Sequence, residues 1–179
     1  MERKTRLDPA VQVLLDEQEI CELLTRYCRG VDRCDEKLVI STFLPGAEVD
    51  IGIDRGDASE VCSRGVKRLK ANYKFTMHRI SNILIEVEGH VAYGETYCCA
   101  YQRFVKNGRE FDLICGLRYI DRFEKSEGAW KISSRRHVYD WNRVDPSAEQ
   151  FNTGYEGAGY KDVKFVMGAR WPDDFSCQK

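Results

Sequence analysis

Residues 76–88 read Thr76-Met77-His78-Arg79-Ile80-Ser81-Asn82-Ile83-Leu84-Ile85-Glu86-Val87-Glu88. The head of this stretch is polar and carries one of only three histidines in the chain. The remainder is apolar and β-branched, the composition of a strand. A side chain that titrates near neutrality, held at the rim of a sheet, suits a general base. The plainer alternative is a strand-end histidine held by a carbonyl group.

Downstream, Glu88-Gly89-His90 closes the segment and three more β segments follow. Val91 to Lys106 turns at Asn107-Gly108, a strong hairpin signal. Arg109 to Glu124 turns at Ser126-Glu127-Gly128, and Trp130 to Trp141 is last. Two of these runs far exceed the usual strand of about five or six residues, so they must curl or bulge. Gly94 and Gly116 lie inside them, where glycine permits a bend.

Upstream, Asp8-Pro9 opens a helix as N-cap and first helical residue. Leu14, Cys21, Leu24, Cys28 and Val31 form its apolar stripe, flanked by Ile20 and Tyr27. Asp16, Glu17, Glu22, Arg26 and Arg33 populate the opposite face. The helix should end near Gly30 to Arg33. A short second helix is expected over Leu38 to Phe43, stopped by Pro45-Gly46. A short strand follows over Ala47 to Ile53, then a third helix over Ala58 to Tyr73. The fold class is therefore α+β: helices first, then a strongly curved, mostly antiparallel sheet whose concave interior can hold a small molecule.

The 179 residues suffice for one core without metals or disulfides. Charge is balanced at −1, and no basic block with interleaved aromatics appears, so nucleic acid is not an expected partner. No apolar run is long enough to span a membrane or to act as a leader, which points to a cytoplasmic protein. The eight cysteines show no C-x-x-C pair or metal-ligand spacing and read as small buried hydrophobes. Neither a metal nor a cofactor is expected: phosphate loops, dinucleotide fingerprints and nucleophile elbows are missing. Two regions are expected: a domain over 1–145 and an arm over 146–179. The arm carries Phe151, Tyr155, Tyr160, Phe165, Trp171 and Phe175, and should cover the pocket or a neighbouring subunit.

Asp32 is awkwardly placed, because an acid at a helix C-terminus opposes the helix dipole. A basic partner from the sheet would explain it, and an aspartate bonded to histidine Nδ1 fixes the tautomer and strengthens Nε2 as a base. The alternative is an ordinary turn former in Gly30-Val31-Asp32-Arg33. His137, in Arg135-Arg136-His137-Val138-Tyr139-Asp140-Trp141, is a second candidate. Strict alternation puts Arg135, His137, Tyr139 and Trp141 on one face and Arg136, Val138 and Asp140 on the other. His90 sits in a turn and reads as solvated. Tyr27, Tyr97, Tyr101, Tyr119 and Tyr139 could donate hydrogen bonds in a pocket or simply pack.

Tyr27-Cys28-Arg29-Gly30-Val31-Asp32-Arg33, Phe43-Leu44-Pro45-Gly46-Ala47 and His78-Arg79-Ile80-Ser81-Asn82 occur in that order. Gly116-Leu117-Arg118-Tyr119-Ile120-Asp121-Arg122-Phe123, Gly128-Ala129-Trp130-Lys131-Ile132 and Asp140-Trp141 follow. Together they resemble the SnoaL-like branch of the nuclear-transport-factor-2-like superfamily, which includes scytalone dehydratase, hexachlorocyclohexane dehydrochlorinase and bile-acid 7α-dehydratase. The resemblance spans about residues 10 to 143. It implies a cone-shaped α+β barrel with a deep pocket, assembled as a homotrimer or homodimer.

In catalytic members an Asp–His dyad performs a cofactor-free elimination. Asp32 and His78 look equivalent to that dyad, and Tyr27 to the pocket tyrosine of the dehydratases. The bile-acid enzyme's strand aspartate falls near Ala100 and its last-strand arginine near Tyr139, so Arg136 or His137 would have to supply the missing polar group. The expected function is a lyase acting on a small apolar cyclic or aromatic substrate. Catalytic candidates are His78, Asp32 and Tyr27; substrate-binding candidates are Tyr97, Tyr101, Arg136, His137 and Tyr139. The alternatives are an isomerase using the same base, a non-catalytic small subunit of a ring-hydroxylating oxygenase, or a binder of hydrophobic ligands.

Overall fold

A computed structural model of the protein describes residues 7–148 and 165–178. Helix α1 spans Pro9–Arg33, α2 Glu36–Ser41 and α3 Ala58–Asn72. Strands β1 (Phe43–Asp50), β2 (Arg55–Asp57), β3 (Phe75–Glu88), β4 (Val91–Lys106), β5 (Arg109–Ser126) and β6 (Ala129–Pro146) form one sheet in the order β2-β1-β6-β5-β4-β3. The β1–β6 pair is parallel and the others are antiparallel.

Local chemistry sets the element ends. The Asp8 carboxylate accepts the Ala10 N–H at 2.8 Å, and Pro9 follows as the first helical residue. Cys34, at φ 53°, ends α1 in the left-handed region. Asp35 and Asp57 cap α2 and α3 through Leu38 N–H at 3.0 Å and Ser59 N–H at 2.9 Å. Asn107 and Gly108 both take positive φ, 52° and 73°, and make the β4–β5 turn.

The long strands curve through irregularities in their pairing. Asn82, at φ 46°, interrupts the β3–β4 register, and β5–β6 slips between Gly116 and Leu117 and between Arg122 and Phe123. Gly94 has a different reason for being glycine. It stays in register, and a Cβ there would stand 2.9 Å from the Phe123 ring.

Several expectations need correction. The buried face of α1 is Asp16, Ile20, Leu23, Leu24, Tyr27 and Cys28, while Leu14 is exposed and Cys21 only half-buried. Asp16 is thus not a solvated acid: it accepts the Trp130 indole N–H at 2.9 Å and pairs with Lys125 at 2.5 Å. Burial alone would push its carboxyl up, and these two donors reverse the shift to a lowering. The second helix ends at Ser41, and Phe43 already pairs with Ile132. Pro45 and Gly46 sit in the irregular stretch of β1, where Pro does not break the ladder. Strand β6 runs five residues beyond Trp141, to Pro146.

The core lies between the helices and the inner face of the sheet, with Ile20, Leu24, Val39, Val61, Phe123, Trp130 and Ile132 fully buried. Phe151, Tyr155 and Tyr160 of the expected arm lie outside the described residues. Its later part, 165–178, is described, and it docks at the C-terminal end of α1. Among the described residues no helix is long and apolar enough to cross a membrane.

Candidate functional site

A cavity of about 320 Å³ opens between α1, α3 and the inner face of the sheet. Its walls are mostly aliphatic, among them Val31, Val61, Leu69, Leu113 and Leu117. The polar groups reaching it are few: Tyr27, Tyr73, Gln102, Tyr119, Tyr139, His78 and His137, with Arg68 the single guanidinium of the lining. Arg68 is already met by Asp54 at 3.9 Å.

Asp32 and His78 come together here. Asp32 occupies the last turn of α1 and reaches across to the start of β3. Its Oδ2 accepts the His78 backbone N–H at 2.9 Å, and its Oδ1 stands 2.6 Å from His78 Nδ1. Both side chains are nearly buried, 12% and 10% exposed. A carboxylate can only accept here, so Nδ1 is the protonated nitrogen, and in the neutral ring the lone pair is on Nε2. This grip answers the awkwardness of an acid at a helix C-terminus.

Tyr27 lies one helical turn or so earlier on α1, edge-on to Phe43 and Tyr119. Burial pushes its phenol upward, so it remains a neutral donor. Between Tyr27 and Tyr119 sits the guanidinium of Arg135, 4.1 and 4.2 Å from the two ring centroids. Arg135 pairs with Asp121 through two bonds of 2.7 Å, with no exposed side-chain surface. This pillar holds the wall that presents Tyr27.

The last strand supplies His137 and Tyr139 to the cavity, as alternation expects, and the alternation breaks only before Trp141. Leu117 pairs with Tyr139 and Gly116 with Trp141, so Asp140 is an extra residue. The bulge sends Trp141 outward over Gly116, whose missing Cβ makes room for the indole. Tyr139 donates to the Ile51 carbonyl at 3.0 Å at the cavity mouth. His137 packs 4.8 Å from the Tyr119 ring, and its buried Nε2 has no hydrogen-bond partner among the described residues. Its imidazole is pushed down to about 3, first by burial and then by the guanidinium of Arg135 and the neighbouring His78 ring. It is a neutral ring at ordinary pH.

Three expected substrate contacts lie elsewhere. Tyr97 pairs with Ser81 and Arg118 on the outer face of the sheet. Tyr101 bonds Asp112 at 2.6 Å and packs on Phe75, and Arg136 is exposed with Asp50 3.8 Å away. None lines the cavity; inner positions on β4 are Cys98, Ala100 and Gln102. Sequence reasoning left Gln102 and Arg135 out of the site, and nothing in their local pattern marks them. Of the cysteines, Cys28, Cys62 and Cys98 are pushed up to about 12, 11 and 11 by burial, so their thiols stay protonated. Among the described residues no group of three or more histidines, cysteines or acids gathers into a metal-sized cluster.

The chain belongs to the SnoaL-like domain family, which matches residues 12–136. A curated relative, an uncharacterized protein of Mycobacterium tuberculosis, is 27% identical over 130 residues, covering 70% of this chain and 86% of that protein. A solved structure from Novosphingobium aromaticivorans, provisionally assigned as a scytalone dehydratase, superposes with a TM-score of 0.68. It is 19% identical and covers 78% of this chain and 98% of its own. The type-3 hexachlorocyclohexane dehydrochlorinase of Novosphingobium barchaimii superposes with a TM-score of 0.67 at 20% identity, covering 78% and 94%. The fold is thus the nuclear-transport-factor-2-like one, shared with dehydratases and dehydrochlorinases.

Proposed function

We propose that this SnoaL-like protein is a cofactor-independent lyase for a small, neutral, apolar cyclic or aromatic substrate. The observation that carries this reading is the Asp32–His78 pair, 2.6 Å apart at the wall of an apolar cavity. His78 Nε2 removes a proton from a carbon beside an activating group. The freed electron pair forms the new double bond as the leaving group departs with its own pair. A halide leaves in this way as the anion, and a hydroxyl leaves as water once it takes up the proton that His78 has removed. Formaldehyde would leave by a variant step in which the base takes a hydroxyl proton, the C=O of formaldehyde forms, and the pair of the broken C–C bond stays with the substrate. Tyr27, kept protonated by burial, donates a hydrogen bond to the oxygen that gains charge. His137 and Tyr139 orient the substrate's polar group. A neutral substrate follows from the lining, where the one guanidinium already faces Asp54.

Assembly as a homodimer or homotrimer belongs to the same proposal. Its support is the outer face of the sheet, which exposes Met77, Tyr97, Ile120 and Trp141.

The test needs no knowledge of the natural substrate. Nitrobenzisoxazole is a flat neutral aromatic whose N–O bond breaks when a base takes its carbon-bound proton, giving a coloured cyanophenolate. The parent protein should catalyse this opening with saturation kinetics, and His78→Ala should lose about 10²–10⁴-fold in kcat. A parent with no activity on this probe or on a panel of cyclic alcohols and halides, yet binding such compounds equally well before and after His78→Ala, would be a binder and not a lyase.

A further inference from the structure

The four carbonyls that end α1 are divided between two parts of the chain. The Gly30 and Val31 carbonyls accept from Asp35 N–H at 2.9 Å and Cys34 N–H at 3.1 Å, the local cap. The Asp32 and Arg33 carbonyls are met from far along the sequence: Arg170 Nη1 donates to Asp32 O at 2.6 Å, and Trp171 N–H to Arg33 O at 2.6 Å. Helix C-termini leave these groups open, and a cation there also suits the dipole.

The same guanidinium reaches β3. Arg170 Nη1 donates to the Thr76 hydroxyl at 2.7 Å, and Nη2 to the Tyr73 carbonyl at 3.4 Å. Thr76 is buried and stands two residues before His78. One side chain therefore ties the backbone carrying Asp32 to the backbone carrying His78, from behind the pair and outside the cavity lining.

The segment bearing Arg170 is itself built to hold its shape. Asp174, almost fully buried, accepts from Ala169 N–H at 2.9 Å and Ser176 N–H at 3.0 Å, bonds the Ser176 hydroxyl, and pairs with Arg33 at 3.2 Å. Arg29 donates to the Ser176 carbonyl at 3.1 Å. The family match ends at residue 136, upstream of Arg170, Trp171 and Asp174.

We propose that Arg170 is a positioning residue for the Asp32–His78 pair, so that the C-terminal segment completes the site from outside the family domain. The proposal rests on the dyad reading above for its catalytic consequence, but not for its structural one. With α1 and β3 tied at this point, the carboxylate keeps both its bonds to His78. Without the tie the two backbones move independently, and near-attack geometry is lost even when the fold remains.

The test uses the full chain with Arg170→Ala and Arg170→Lys. Imidazole NMR reads the His78 Nδ1–H resonance, assigned by its disappearance in His78→Ala, with no substrate present. Arg170→Ala should lose or strongly shift that resonance, and Arg170→Lys should restore it in part. On nitrobenzisoxazole, kcat should fall about ten- to a hundredfold while KM changes little. An unchanged Nδ1–H resonance in a folded Arg170→Ala overturns the proposal, even if melting shows a stability loss. Should Arg170→Ala not fold, Thr76→Val removes one of its acceptors and keeps the cap of α1; a perturbed resonance there supports the tie and an unperturbed one overturns it. Failure of the lyase reading would show instead as full turnover in His78→Ala, with the resonance result standing by itself.

Discussion

Asp32 holds His78 at two points, its backbone N–H at 2.9 Å and its ring Nδ1 at 2.6 Å. The second contact sets the tautomer, and the first sets where the ring starts. Asp32→Asn separates them. An amide oxygen still accepts the backbone N–H, but the NH₂ on the other side must donate to Nδ1, which moves the ring proton to Nε2. The variant should keep its fold and its ligand affinity while losing at least about 10²-fold in kcat. Imidazole ¹⁵N shifts of His78 report the tautomer directly, and an Asp32→Asn protein with parental kcat would remove the general base from the mechanism.

His137 imposes a pH dependence on stability. Its imidazole sits near 3 in the folded protein, below the ordinary value of 6.5. Below pH 6.5 the unfolded chain takes up a proton that the folded chain refuses. Stability is therefore complete above that pH and is lost as pH falls toward 3, by at most about 1.4 kcal/mol per unit. His137→Phe keeps a ring beside Tyr119 and removes the titration. Urea denaturation at pH 7 and pH 5 should show a smaller acid loss for the variant, by about 1–2 kcal/mol. Equal losses would mean that the ring accepts a proton in place.

The legibility of this protein in its sequence follows the range of the forces involved. Asp8-Pro9, Asn107-Gly108 and the alternation of Val91–Lys106 are local, so element order and the hairpins could be read directly. An acid at a helix end without a local partner called for a basic group from the sheet, and the family resemblance singled out His78 as that group. What failed was decided by neighbours distant in sequence. The Asp140 bulge reverses the face of Trp141 relative to His137. Trp130 and Lys125 draw Asp16 into the core. On β4 the inner face of the sheet takes Cys98 and Ala100, so Tyr97 and Tyr101 of the same strand point outward. Arg170 has no periodic context at all.

Gly94 supplies a packing prediction. A Cβ there would meet the Phe123 ring at 2.9 Å and the Leu84 carbonyl at 3.3 Å. Phe123 has no exposed surface and cannot swing away. Gly94→Ala should destabilise by about 1–3 kcal/mol, the range for overpacking a close-packed core. Thermal melting checks it, and an unchanged midpoint would mean the sheet yields at this point.

The Arg135–Asp121 pair makes the last prediction. Its two 2.7 Å bonds lie in a site with 0% and 1% side-chain exposure. Burial pushes the Asp121 carboxyl up and opposes the charge on Arg135, whose guanidinium is nevertheless held charged by Asp121. Arg135→Met leaves the acid without its partner and should cost about 3–5 kcal/mol. Adding Asp121→Leu removes the stranded group, so the double variant should recover most of that loss, as replacement of a buried pair by apolar residues often does. Activity need not recover with it. Tyr27 and Tyr119 flank the guanidinium at 4.1 and 4.2 Å, so a double variant that folds stably but shows a raised KM or lowered kcat separates the pillar's service to the cavity wall from its part in stability. A double variant as unstable as Arg135→Met alone would place the cost in lost packing rather than in unpaired charge.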